Sequence, residues 1–178
     1  QGRYVLWSND GGAVGEGLSD VFGAAAEFFF QSDGTGPLRA DYLIGEDLDD
    51  PIRSLSNPTS IYANSQRTVR YPDHFSNRLR YTAVWIDGQL YLTPFVIRGS
   101  SFYWADSTDN GGVHVNSTIL SHVYYLAVEG GTNSTSGIYV SGVGGANRRQ
   151  IERVFFRAVT ELMPVGQYFS TMGDVLRQ

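Results

Sequence analysis

A single, mainly α-helical domain is the fold class that the sequence predicts: a small bundle around one buried helix, with one β-hairpin added. Three observations predict it. Three segments repeat their apolar residues at spacings of three and four, and one run reads as strand on either side of an Asp-Gly pair. Residues 1–178 also amount to one domain's worth of chain, 42% hydrophobic and 13% aromatic. A chain of this length buries roughly 70% of its unfolded surface, which excludes intrinsic disorder.

From Gly12 to Phe30 the residues Val14, Leu18, Val21 and Ala25 keep to one helical face. The segment is apolar around most of its circumference, so a central, buried helix is expected. Ser32 to Gly36 is turn chemistry, and the five acids between Asp41 and Asp50 read first as a solvated loop. Residues 51–58, bounded by two prolines, read as loop. Thr82–Ile86 and Gln89–Thr93 flank Asp87-Gly88, the pattern of a hairpin with a two-residue turn whose Trp and Tyr residues pack across the strands. A second helix is expected over Asn116–Glu129 on Ile119, Val123, Leu126 and Ala127, with His122 exposed on it and Gly130-Gly131 as its stop. Asn147–Met163 predicts a third, with a stripe of Ile151, Val154, Phe155, Ala158, Val159 and Leu162 and with Pro164 ending it. A short fourth helix follows from Tyr168.

Composition narrows function. The net charge is −5, all 13 basic residues are Arg, and their one cluster is Arg148, Arg149, Arg153 and Arg157. A nucleic-acid partner, which needs a basic face, is not expected. The absence of Cys excludes disulfides, thiolate zinc sites and a cysteine nucleophile. The longest apolar run, Ala24–Phe30, is too short to span a bilayer and is interrupted by Glu27, and no signal-peptide pattern opens the chain.

Three features could carry chemistry. Glu16 and Asp20, four apart, share a face of the predicted buried helix, where a carboxylate must be paired, protonated or metal-bound. Salt bridges to the arginines satisfy that requirement as well as a metal does. Asp109-Asn-Gly-Gly-Val-His114 sets a glycine-rich turn between a carboxylate and an imidazole, and an Asp so placed can fix a His tautomer for oxyanion or general-acid work; from the residues alone, a loop histidine with no task is the favoured reading. Glu27 with Asp41 and Glu46 offers oxygen ligands suited to Ca²⁺. His74 reads as a turn histidine without chemistry. Asn116-Ser-Thr and Asn133-Ser-Thr fit the glycosylation pattern, the first beside the His114 turn where modification is not expected.

The order of these blocks resembles the C-terminal half of the catalytic unit of thermolysin-like zinc metallopeptidases. It is carried by Gly12-Ala-Val-Gly-Glu-Gly-Leu-Ser-Asp-Val-Phe-Gly23, Ile44-Gly-Glu-Asp47, Ile52-Arg-Ser-Leu-Ser56, Pro72-Asp-His-Phe-Ser76, Asp109 to Ser117, and Gly142-Val-Gly with the Phe155-Phe-Arg-Ala-Val-Thr helix. The resemblance implies the helical bundle of that family, with residues 79–106 as an inserted hairpin. It implies that Glu16 is the third ligand of a His₂Glu zinc site and Asp20 its outer partner, orienting a ligating histidine. It implies that His114 donates to the oxyanion with Asp109 holding its ring, that Arg53 binds the substrate carbonyl, and that Ile52 and Asn110 touch substrate. Glu27, Asp41 and Glu46 would hold structural calcium.

The family's other zinc ligands and its general base come from a His-Glu-x-x-His helix roughly twenty residues before the glutamate ligand. Here fifteen residues precede Glu16, the only histidines are His74, His114 and His122, and Gly15 stands where the family has Asn. The expectation is therefore the C-terminal domain of a secreted zinc metalloendopeptidase that cleaves internal peptide bonds, completed by an upstream domain bearing that motif, with no nucleic-acid or membrane partner. Alone, without the upstream ligands and base, the chain is expected to be inactive. The alternatives are a non-catalytic peptide- or partner-binding domain of the same fold and a purely structural calcium-stabilised module.

Overall fold

Two long helices, packed along most of their length, carry the architecture. α1 runs Asn9–Phe30 and α2 Val113–Glu129. The computed structural model describes residues 9–48, 50–64, 67, 69–86, 89–95, 109–163 and 169–177, with the backbone alone for 9, 80–86 and 89–95. In chain order the other elements are a short antiparallel pair β1 (Leu43–Ile44) and β2 (Arg53–Ser54), the hairpin β3 (Arg80–Ile86) and β4 (Gln89–Phe95), and a second short pair β5 (Gly131–Thr132) and β6 (Tyr139–Val140). α3 (Arg148–Arg157) continues as a π-helical turn over Ala158–Leu162, and α4 (Phe169–Val175) closes the described chain.

The core forms where the helical faces meet. Val14, Leu18, Val21 and Ala24 of α1 pack with Leu120, Tyr124 and Val128 of α2, Phe155 of α3, and Met172 and Val175 of α4. Tyr124 meets Phe155 edge-on at 5.6 Å between ring centroids. Glycine at position 17 permits the close approach of the two long helices. A Cβ there would lie 2.7 Å from the Ser117 carbonyl oxygen and 2.9 Å from Leu120 Cβ, inside van der Waals contact. The far end of α2 is closed by backbone: Gly130 takes φ 78°, and the N–H groups of Val143 and Gly144 donate to the carbonyls of Ala127 and Val128 at 3.0 and 2.7 Å.

Most sequence expectations for the elements hold. α1 starts at Asn9, and the hairpin has the expected register, Ile86 opposite Gln89. Its turn residues Asp87 and Gly88, its side chains and residues 96–106 lie outside the described residues, as do Asp49 and Pro164. α3 with its π turn ends at Met163, whose extended ψ of 122° suits a residue before proline.

Four expectations are corrected. Residues 51–58 are not all loop, because Arg53–Ser54 pairs with Leu43–Ile44. The C-terminal turn of α1 is not buried, with Phe29 64% and Phe30 81% exposed. Val154, placed on the buried stripe of α3, is exposed. On α2 Val123 is exposed and His122 is buried, the reverse of the apolar pattern. The reason is hydrogen bonding: Asn116 exchanges two bonds of 2.8 Å with the Leu79 backbone, Thr118 Oγ1 donates to the Pro72 carbonyl at 2.7 Å, and His122 Nδ1 donates to the Leu55 carbonyl at 2.7 Å. Polar side chains with backbone partners can line a core that hydrophobic periodicity assigns to apolar ones.

The Gly17 contact generates a paired test. Gly17→Ala is expected to destabilise the chain by about 1–3 kcal/mol, because overpacking outweighs the gain in helix propensity. Gly23→Ala, where an added Cβ meets nothing within 4 Å, is expected to be neutral or stabilising by up to about 1 kcal/mol. Urea denaturation of both variants reads the difference, and equal effects would contradict the packing account.

Candidate active site

The close packing of α1 on α2 sets four chemically capable side chains side by side. On α1, Glu16 and Asp20 stand one turn apart. On α2, His114 lies in the first turn of the helix and Ser117 about one turn further. The turn before His114 reverses the chain tightly: Asn110, Gly111 and Gly112 all take positive φ (44°, 94° and 78°), and the Gly112 N–H donates to the Asp109 carbonyl at 2.8 Å. The two glycines adopt that conformation without steric cost. The reversal swings Asp109 back over the helix start. Its Oδ1 accepts from His114 Nδ1 at 2.6 Å and from the His114 backbone N–H at 3.3 Å. The other ring nitrogen, Nε2, faces Glu16 Oε2 at 3.4 Å.

The imidazole is thus gripped at both nitrogens while its side chain stays 51% exposed, a ring held in place yet open to a ligand. Asp109 Oδ2 is buried and takes no hydrogen bond among the described residues. A Ser117 Oγ bond of 2.7 Å to the His114 carbonyl fixes the backbone below the ring.

Beside this group lies a buried ion pair. Arg53, presented by β2, donates from Nε and a terminal nitrogen to the two oxygens of Asp20 at 2.9 and 2.6 Å. Both side chains are largely shielded, and Ser117 Oγ adds a 3.4 Å contact to Asp20. Burial works against the Arg53 charge, but the hydrogen bond and charge of Asp20 outweigh it and hold the guanidinium above its ordinary pKa. Tyr71 is buried against the same guanidinium. Burial pushes its hydroxyl up, while the charge and hydrogen bond of Arg53 pull it back. Removing one partner of such a pair costs about 3–5 kcal/mol, which makes Asp20 and Arg53 a structural unit. The sequence left salt bridging open for Glu16 and Asp20, and Asp20 has one. Tyr71 and Ser117 were not singled out; Ser117 lies inside the Asp109–Ser117 block, but Tyr71 carries no motif. Ile52, 52% exposed, and Asn110, also exposed, stand at the surface as neighbours of Arg53 and Asp109.

The acidic loop forms a separate group. Burial, then the charges of Glu46, Asp41 and Asp47, raise Glu27 to about 7, and burial also raises Glu46. Glu27 Oε2 and Glu46 Oε2 are buried without a hydrogen-bond partner among the described residues. Two carboxylate oxygens left unsatisfied beside like charges are what a bound hard cation would relieve, although they are two donors of the kind calcium takes and not a complete ligand set. Among the described residues no three His, Asp or Glu side chains stand close enough together to hold a metal ion, and Glu16 is a single oxygen donor.

Other expectations resolve locally. His74 caps the 3₁₀ turn Phe75–Asn77, its Nδ1 accepting the Ser76 N–H at 3.1 Å. Asn116 and Asn133 are both buried, and Asn133 Nδ2 donates to the Asp73 carbonyl at 2.8 Å, so neither is placed to carry a glycan. No described helix is long and apolar enough to cross a membrane. A hollow of about 690 Å³ between α2, residues 133–140 and α4 is lined by none of Glu16, Asp20, Arg53, Asp109 or His114.

Glu27 carries a pH signature. In cation-free buffer the folded chain keeps a proton on Glu27 up to about 7, whereas the unfolded chain loses it near 4.5, so stability is expected to fall as pH rises through that window. Glu27→Gln should remove the slope, and added Ca²⁺ should raise the melting temperature more at pH 7.5 than at pH 4.5. Melting curves across pH check both, and an unchanged slope in the variant would contradict the assignment.

Comparison with known proteins identifies the family. Residues 5–178 match the family described as "Thermolysin metallopeptidase, alpha-helical domain". Bacillolysin of Bacillus cereus is 32% identical over 172 residues, covering 93% of this chain and 23% of the relative. Thermolysin of Alicyclobacillus acidocaldarius is 29% identical over 174 residues, covering 94% and 24%, and neutral protease B of Bacillus subtilis is 31% identical, covering 94% and 23%. The chain therefore spans about a quarter of the length of the curated relatives it matches. On the family match across nearly its whole length, the chain belongs to the thermolysin-like metallopeptidases, as their α-helical C-terminal domain.

Proposed function

We propose that the chain forms one wall of the active-site cleft of a secreted zinc metalloendopeptidase, completed by an upstream domain that carries a His-Glu-x-x-His motif. The observation that carries this reading is the grip on His114, with Asp109 at Nδ1 and Glu16 opposite Nε2, at 2.6 and 3.4 Å. A helix-start histidine without a task needs neither partner.

Glu16 would hold zinc together with two upstream histidines, and zinc there would supply Lewis acidity for attack on the peptide carbonyl. This chain's own residues do the rest of the positioning. Asp109 keeps the proton on Nδ1 of His114, which leaves Nε2 to serve the substrate side of the ring. Protonated there, His114 donates to the oxygen on which negative charge develops as the peptide carbonyl is attacked. Arg53, held rigid by Asp20, directs its remaining N–H groups to a substrate carbonyl, and Ile52 and Asn110 border the chain of the substrate. Asp20 also orients a ligating histidine. Glu27 and Glu46, with Asp41 near them, would supply oxygen ligands to structural calcium. Without the upstream ligands and base the isolated chain does not hydrolyse peptides.

The test uses the longer protein. Glu16→Gln is expected to lose zinc, measured by elemental analysis, and activity with it. His114→Phe should keep zinc and fold but lower kcat by about 10²–10³ with KM little changed, as removal of an oxyanion donor does. Zinc retained in full by Glu16→Gln, or a His114→Phe variant as active as the parent, would overturn the reading.

A further inference from the structure

We propose that the hollow beside Arg67 and Arg70 is a subsite for an acidic side chain, Asp or Glu, of a peptide lying along the cleft. The proposal rests on the peptidase reading above and names a feature of its substrate.

Residues 61–63 pair antiparallel with residues 69–71. The Ala63 N–H donates to the Val69 carbonyl at 2.7 Å, the Tyr71 N–H donates to the Ile61 carbonyl at 3.2 Å, and Tyr62 bridges to Arg70. The hollow beside this pairing has a volume of about 480 Å³ and is lined by Tyr62, Arg67, Arg70, Tyr71 and Val115 among others, with no Asp or Glu among the described residues of its wall. Arg70 lies over the Tyr62 ring, 4.1 Å from its centroid, and donates to the Tyr62 hydroxyl at 2.7 Å and to the Thr59 and Ser60 carbonyls at 2.7 and 3.2 Å. Arg67, turned toward the same ring at 6.0 Å, is exposed.

Every one of those partners is neutral. Arg53, Arg148, Arg157 and Arg177 all pair with carboxylates, whereas neither Arg67 nor Arg70 has an ion pair among the described residues. Two guanidinium groups without an ion pair among the described residues thus line one hollow, in a chain of net charge −5. Stacking on Tyr62 orients the Arg70 group in advance, so less freedom is lost when a carboxylate meets it. A guanidinium fork matches a carboxylate in geometry as well as charge.

Two lining residues connect the hollow to the cleft. Tyr71 reaches the Arg53 guanidinium, and Val115 follows His114 in the chain. A peptide whose carbonyl meets Arg53 would therefore extend past Tyr71 toward Arg67 and Arg70.

The test measures binding to the longer protein by calorimetry at low salt, with zinc removed by 1,10-phenanthroline so that the probes are not cleaved, and with acetyl-Gly-Leu-Glu-Glu-amide and acetyl-Gly-Leu-Gln-Gln-amide as the probes. The Glu peptide is expected to bind about five- to tenfold more tightly, as charge-assisted hydrogen bonds contribute. About 0.5 M NaCl should shrink the difference. In Arg67→Gln/Arg70→Gln the difference should vanish with the Gln peptide unaffected. If that double variant melts abnormally, Arg67→Gln alone, at an exposed side chain, should still halve the preference or more. Equal binding of both peptides, binding of neither, or a preference that survives in the variants would overturn the subsite. Loss of the peptidase reading is read separately, as absent hydrolysis in the longer protein, and leaves this difference in affinity unchanged.

Discussion

The contact between α1 and α2 at Gly17 is the constraint on which the rest depends. A side chain at that point would collide with the Ser117 carbonyl and with Leu120. Because none is present, the helices approach closely enough for residues just either side of Gly17 to meet residues of α2 across the seam. Glu16 faces His114, and Asp20 reaches Ser117. Packing and chemistry are thus set by one feature: the apolar residues of the seam bury the core, and its polar residues build the site at one edge.

Three short backbone devices then aim the individual groups. The Asp109–Gly112 reversal folds a carboxylate over the start of α2. The two-residue pairing of β1 with β2 presents Arg53 to Asp20, where a flexible loop would have to lose far more freedom to hold a buried ion pair. The hydrogen bonds of Asn116 and Thr118 anchor residues 72–79 against the side of α2, and that segment in turn carries Tyr71 toward Arg53. The same arrangement explains the buried histidine on α2. His122 Nδ1 is spent on the Leu55 carbonyl, two residues beyond Arg53, so it fastens the Arg53 strand to the helix rather than taking part in chemistry.

Much of this was legible in the sequence because it depends on local pattern. The helices of α1, α2 and α3, the hairpin register, and the pairing of Asp109 with His114 all follow from spacings within about ten residues. The nearness of Glu16 to His114 was legible only through the resemblance, since their separation in the chain is long and no periodicity encodes it. What was not legible depends on partners distant in sequence. Whether a serine, asparagine or histidine on α2 faces water or the core is decided by backbone groups of Leu55, Pro72 and Leu79, and no local pattern reports them. Tyr71 and the Arg67–Arg70 hollow were invisible for the same reason. The exposed Phe29 and Phe30 were misread in the opposite direction, because apolar composition alone says nothing about where a helix runs out of neighbours.

The account's central claim is that Glu16 and His114 face each other because they are one half of a zinc peptidase cleft. The most direct measurement is the coding sequence immediately upstream of the codon for Gln1. The account requires a His-Glu-x-x-His motif there, ending about five residues before Gln1 and so on a helix that leads toward α1. A coding region without that motif would leave the grip on His114 with no reaction to serve, and would contradict the claim.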